Sequence, residues 1–179
     1  MSDPAATTDT VEIPAEGGYR IDPENSTITF VTRHLFGLAP VRGSFALGDG
    51  HIEVAEPVTE SSARAAIPAA SVDTRNAARD TTVRSAQYLN AENHPRIGFV
   101  STGLDHGDGG WILHGELTVR GTTRPLDVRV ERLRAEGGRI RLRASAEVDR
   151  YAFGITAMKG MTGRRLTLTL DVTAVRSPE

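Results

Sequence analysis

The sequence contains no cysteine, which excludes disulfides, thiolate metal sites and cysteine nucleophiles. Lysine is almost absent: of 21 basic residues only Lys159 is one, a skew that reflects coding composition more than function. Aromatic residues make up 5% of the chain, and no apolar run approaches the roughly 20 residues of a membrane span, so no stable membrane insertion is expected. A formal charge of −2 and a pI near 6.2 lack the global basic footprint of a nucleic-acid binder. No phosphate-cradling loop, dinucleotide fingerprint or nucleophile elbow is present, and no acid/base pair stands out, so an enzyme is not expected. Residues 1–18 hold Asp3, Asp9, Glu12 and Glu16 and no basic residue. Such a segment cannot bury enough apolar surface to order itself and reads as a disordered acidic tail. It also lacks the cationic start and apolar run of a secretory signal, which makes the cytoplasm the expected location.

What the chain does have is alternation. Trp111, Leu113, Gly115, Leu117 and Val119 share one parity, against Ile112, His114, Glu116, Thr118 and Arg120 on the other. The same beat runs through Ile140–Val148 and Leu166–Val172, and more weakly through Ser26–Leu35, Val41–Leu47, Ser61–Ile67 and Arg124–Arg134. Successive side chains of a strand point to opposite faces, so each segment has one apolar and one solvated side. About eight such segments in one mid-sized chain predict an all-β barrel or sandwich. Gly48-Asp49-Gly50, Gly107–Gly110, Gly121-Thr122-Thr123 and Glu136-Gly137-Gly138 read as turns, the first as a hairpin signal.

Two stretches break the beat. Ala77–Ala86 has helical composition, with Asp73-Thr74 as the expected cap, and His94-Pro95 forces extended backbone beyond it. Tyr151–Arg164 is a long loop carrying Phe153, Met158, Met161 and Lys159. Its Gly154, Gly160 and Gly163 would let it move, and its methionines are adaptable.

Taken in order, the motifs resemble the YceI-like family of polyisoprenoid-binding, lipocalin-like barrel proteins. The carriers begin with Tyr19-x-Ile21-Asp22, Ser26-x-Ile28-x-Phe30, and His34 followed by Val41-x-Gly43-x-Phe45. They continue with Ser71-Val72-Asp73-Thr74, Arg79-Asp80, Arg84-Ser85 and His94-Pro95-x-Ile97-x-Phe99-x-Ser101-Thr102. Gly115-x-Leu117-Thr118-x-x-Gly121-x-Thr123-Arg124-Pro125 and Arg150-x-x-Phe153-Gly154 close the set. The resemblance covers residues 19–176, and implies an antiparallel eight-stranded lipocalin-like β-barrel with one or two short helices. The chain departs from the family at Thr82-Val83, where His-Leu is usual, at Gln87-Tyr88-Leu89, and at Ala152, where an acidic residue is usual. These changes fall near the helix and long loop, around an expected pocket mouth, and bear on ligand identity more than on fold.

The resemblance further implies a non-catalytic carrier for a long-chain isoprenoid lipid, a polyprenyl chain or prenyl quinone, with no other cofactor and with a homodimer as the assembly. Burying apolar carbon stabilises by about 0.8 kcal/mol per methylene, so each isoprene unit could contribute roughly 3–4 kcal/mol before chain ordering offsets part of it. The residues expected to line the ligand are Phe30, His34, Phe45, Phe99, Trp111, Leu113, Leu117, Leu126, Val128, Leu142, Ala144, Phe153, Met158, Leu168 and Leu170. From the residues alone, large and small side chains could equally interlock into a dry core. The alternative function is then a stress-related structural or interaction protein with a packed barrel and no lipid.

Among polar candidates, His34 shares the apolar parity of its strand and could meet a ligand head, or be a core histidine satisfied by a neighbour. Arg79-Asp80 could hold an anionic head group or pair with each other to pin the helix. Arg150 has inward parity and needs a partner that the sequence does not name. His114 and Glu116 share a solvated face with no third ligand at matching spacing, so no metal site is expected. Arg139, Arg141 and Arg143 read as a solvated strand face without aromatic platforms for nucleic acid.

Overall fold

The structure, a computed structural model, describes residues 10–34 and 38–178, except the side chain of His34. Ten strands are present: β1 (Gly17–Ile21), β2 (Thr27–His34), β3 (Ala39–Ala46), β4 (Gly50–Val54), β5 (Ser62–Pro68), β6 (Arg96–Gly107), β7 (Gly110–Val119), β8 (Thr122–Glu136), β9 (Arg139–Asp149) and β10 (Arg165–Arg176). A single α-helix among the described residues, α1 (Ala77–Arg84), joins β5 to β6. The antiparallel order β1-β4-β5-β6-β7-β8-β9-β10 closes through β10 pairing with β1, an eight-strand barrel.

The two remaining strands double one position of the wall. β10 pairs with β1 through Tyr19↔Arg176 to Ile21↔Ala174, then with β2 through Thr27↔Asp171 to Val31↔Thr167. β1 and β2 thus lie end to end on one edge of β10, with β3 outside β2. At the join, buried Ser26 donates its hydroxyl to the Thr173 carbonyl (3.2 Å) and accepts from the Thr173 amide (3.0 Å). The hydroxyl there satisfies the Thr173 amide, while the carbonyl also accepts from Asp22 N (2.8 Å).

The long hairpins follow directly from turn chemistry. Arg120-Gly121 (φ 53° and 75°) and Gly137-Gly138 (59° and 77°) put two consecutive residues in the left-handed region, as tight two-residue hairpins require. Register shifts at Ser101/Gly103 and Val130/Arg132 add the local twist by which long strands curve into a barrel.

Three expectations are corrected. Gly48-Asp49-Gly50 is not a hairpin: β3 pairs with β2, whereas β4 pairs with β1 and β5. The turn instead carries the chain between the two halves of the doubled wall, held by Gly48 N donating to Ala66 O (2.9 Å) and Ala66 N to Asp49 O (2.8 Å). The helix cap is Asn76, whose side chain accepts from Arg79 N (3.0 Å). Arg75, at φ 60°, precedes it, and Asp73 is occupied by Arg75 N, so helical backbone cannot begin earlier. Finally, the unstructured stretch expected over residues 1–18 does not extend to its C-terminal half. Residues 1–9 lie outside the described residues, but Val11 bridges Leu133, and Tyr19 donates its hydroxyl to Ala15 O (2.8 Å).

Among the described residues no helix is long and apolar enough to cross a membrane. On the outer wall, His114 bridges two carboxylates, with Nδ1 at 2.6 Å from Asp127 and Nε2 at 2.7 Å from Asp105. The bond to Asp127, then that to Asp105, holds its pKa above the ordinary histidine value. A raised native pKa stabilises the fold fully below the unfolded value of about 6.5 and loses that contribution as pH rises through the native one. We expect the His114 ring protons to titrate above pH 6.5 by NMR and Asp127→Asn to lower that midpoint; an unshifted midpoint would refute the bridge.

Candidate ligand-binding site

Two separate cavities occupy the barrel interior, one above the other. The inward residues of β2, read downward, are Thr32, Phe30 and Ile28; those of β10 are Leu166, Leu168, Leu170 and Val172. Thr32, Phe30 and Leu166 line an upper cavity of about 270 Å³, whereas Ile28, Leu168, Leu170 and Val172 line a lower one of about 130 Å³. No residue lines both. On the wall of the upper cavity Phe30 of β2 and Phe45 of the neighbouring β3 pack with centroids 5.6 Å apart, tilted by 43°. Phe30 lies across Gly43 so closely that a β-carbon there would meet its ring at 2.4 Å, and Phe45 packs on the hydrophobic clusters of both halves.

The lower cavity is walled by aliphatic side chains, Phe99 and Arg64. Phe99, Leu113, Leu117, Leu126, Val128, Leu142, Ala144, Leu168 and Leu170, all expected from strand parity, converge here. Phe30 and Phe45 belong to the upper cavity. Trp111, Phe153 and Met158 line neither. Trp111 has inward parity but sits near the far end of β7, stacked on His106 at 4.3 Å. Phe153 is buried in the satellite core with Ile155 and Tyr88. Met158 is 57% exposed, because the left-handed backbone at that residue turns it outward (φ 54°). The side chain of His34 falls outside the described residues.

The upper cavity recruits residues that no strand pattern singles out. Thr82 and Val83 come from α1, Tyr88 and Leu89 from the segment after it, and Ile155, Thr162 and Gly163 from the long loop. Thr82, Val83, Tyr88 and Leu89 are the departures noted in the sequence, and they do surround a pocket. Of the remaining two, Gln87 does not line it and Ala152 packs against the cluster containing Phe153.

Two arginines face this cavity in different states. Arg150, 6% exposed, donates Nε to Gly163 O (2.7 Å), Nη1 to Ile155 O (2.8 Å) and Nη2 to Thr162 O (3.1 Å). Its charge is met by carbonyl dipoles and flanked by the Tyr88 and Tyr151 rings. The loop is therefore tied to Arg150 near both its ends, at Ile155 and at Thr162-Gly163. Gly154 and Gly160 occupy left-handed turns (φ 78° and 80°). Below the staple, Asp149 binds Arg164 through both oxygens, which holds its carboxyl below the usual carboxylate range.

Arg79 is different. Asp80 is buried and accepts from Thr74 N (2.9 Å) and Thr74 Oγ1 (2.7 Å), so it does not pair with its neighbour. The Arg79 guanidinium lines the upper cavity with no hydrogen-bond or ion-pair partner among the described residues. The pairing expected for Arg79-Asp80 is thus replaced by a cap on the Thr74 turn and a free cation at a pocket.

Residues 19–174 match the YceI-like domain. The chain belongs to the YceI-like family. Among curated relatives, the UPF0312 protein of Serratia proteamaculans is 30% identical over 167 residues, covering 89% of this chain and 86% of its own. A UPF0312 protein of Shewanella oneidensis is 31% identical over 168 residues, covering 88% and 87%. Among solved structures, BcnA of Burkholderia cenocepacia superposes with a TM-score of 0.77 at 18% identity, over 87% of this chain and 99% of BcnA. A polyisoprenoid-binding domain from Saccharophagus degradans, implicated in plant cell wall breakdown, gives 0.67 at 13% identity, over 91% and 100%. At these identities the likeness of this YceI-like chain to the two structures shows the barrel alone.

Proposed function

We propose that the protein is a non-catalytic carrier of an apolar, isoprenoid-type lipid, seated in the upper cavity with its chain directed toward the lower one. The observation that carries the reading is the upper cavity itself: an apolar space of about 270 Å³ with one guanidinium on its wall, that of Arg79, unpaired among the described residues. Such a site takes an apolar body by burial and orients it by a single polar contact, here Arg79 toward a quinone oxygen or another polar head. Family membership and the Saccharophagus degradans neighbour support the ligand class. The cavity in this state seats only a short apolar segment, so a longer chain needs the Phe30–Phe45 pair to swing aside and join the two spaces.

A ligand that binds only the folded barrel stabilises it by about 2.7 kcal/mol at a hundredfold excess over Kd. For a chain of this size that is a rise in Tm of roughly 5–10 °C. Prenyl quinones should give this shift, and protein purified from its native host should yield a prenyl species by mass spectrometry at near-stoichiometric amount. A second reading, a scaffold that works through its outer surface, is favoured by the close-packed boundary between the cavities. Protein that emerges empty and gains no stability from prenyl quinones would overturn the carrier and leave the scaffold.

A further inference from the structure

The charges of this chain are sharply polarised along the barrel axis. Four regions of the chain converge around the upper cavity: residues 33–34 with 38–42, 72–96, 119–124 and 147–165. Their meeting is fixed by Tyr88 Oη against Thr162 Oγ1 (3.0 Å), Arg120 donating to Tyr88 O (3.2 Å), and Gly163 pressed against Thr32 and Arg33. These segments carry twelve basic and five acidic residues, whereas the rest of the described residues carry nine basic and fifteen acidic. A net acidic protein therefore presents a cationic end. Much of that charge is uncompensated: Arg33, Arg42, Arg75 and Lys159 are exposed and make no ion pair among the described residues. Arg33, Arg164 and Arg165 also open onto one surface pocket of about 450 Å³ outside the barrel wall.

The same end bears apolar tips. Leu38 is 82% exposed, Met158 57% and Met161 39%. The chain's single lysine, Lys159, lies between the two methionines, 5.3 Å over the Tyr151 ring. Exposed aliphatic tips within a cationic field suit a lipid–water interface, where the tips enter the acyl boundary and the cations meet phosphate head groups. A polynucleotide would satisfy the cations but leave Leu38, Met158 and Met161 in water.

We propose that the mouth end docks on the surface of an anionic bilayer. The proposal concerns the outer rim and stands independently of the ligand in the cavity. Each basic residue near such a surface contributes about a fivefold gain in partitioning, and the gain is screened by salt.

The test is co-sedimentation of the full chain with vesicles of phosphatidylcholine alone and with 30% phosphatidylglycerol. Binding should appear on the anionic vesicles and fall with added salt. The triple substitution Arg33→Gln, Arg42→Gln, Lys159→Gln should weaken it about a hundredfold. Arg129→Gln, Arg139→Gln, Arg141→Gln, an equal charge change on the distant wall, should leave it near the parent value. Leu38→Ser with Met158→Ser should weaken it further. Equal partitioning onto neutral vesicles, no partitioning at low salt, or equal loss in the two triple variants would overturn docking. So would an oligonucleotide that binds this end undiminished by the serine substitutions, which would assign the surface to nucleic acid. Ligand-induced stabilisation of the rim triple variant, read separately by Tm, keeps failure of docking distinct from failure of lipid binding.

Discussion

Phe45→Ala is expected to cost about 3 kcal/mol of stability and, at the same time, to lengthen the preferred ligand. Phe45 packs on two hydrophobic clusters and against Phe30 at 5.6 Å, on the wall of the upper cavity. Its removal deletes those contacts and opens a path between the cavities of about 270 and 130 Å³. Each further methylene that then reaches buried space is worth about 0.8 kcal/mol, close to a fourfold gain in affinity. Titration of the variant and the parent with a series of prenyl quinones of increasing chain length would measure this. The parent should plateau at short chains and the variant should continue to gain. Identical length profiles would remove the phenylalanine pair as the element that limits the ligand.

Arg150→Met should be the most damaging single change at the mouth. Methionine keeps much of the length and apolar stem but donates nothing, so the carbonyls of Ile155, Thr162 and Gly163 lose their shared donor. Hydrogen bonds to a charged group are worth about 1.5–3 kcal/mol each, and bonds from one side chain do not add fully. A loss of about 3–5 kcal/mol is expected, read as a fall in Tm of roughly 6–20 °C. Hydrogen exchange should quicken across residues 155–163 before the barrel strands. Arg150→Lys should recover only part, because a single ammonium cannot reproduce the planar fork. Protection of the loop unchanged in the methionine variant would show that Arg150 is not its staple.

Strand parity is legible because it is local: a two-residue period places Leu113, Leu117, Val128, Leu142 and Leu168 inside without reference to any other strand. The same rule misplaces Trp111, since parity says which face a side chain takes and not how far along the barrel the cavity extends. Met158 lines neither cavity for another reason: its loop has no period, and the residue sits exposed in a left-handed turn. Tyr88, Leu89, Thr82 and Val83 could have been found only from the places where the chain departs from its family, because nothing in their own spacing marks an inward face.

The partner of Arg150 was also beyond reading, since backbone carbonyls carry no residue identity. His114 shows the same limit on the outer wall, where its partners Asp105 and Asp127 come from β6 and β8. Pairing across strands depends on register, and register depends on hairpins and on the bulges at Ser101/Gly103 and Val130/Arg132.

What the amino-acid order determined by itself was an all-β chain with a greasy and a wet side to each strand, one short helix, and membership of a recognisable family. Those properties rest on side-chain alternation and turn chemistry, which act over a few residues. Whether the interior is one bore or two chambers, which arginine is satisfied and which is free, and the gathering of positive charge at one end were decided only by closure of the barrel. The last two arise from distant segments meeting, and the distance along the chain between Arg33 and Lys159 says nothing of their separation in space.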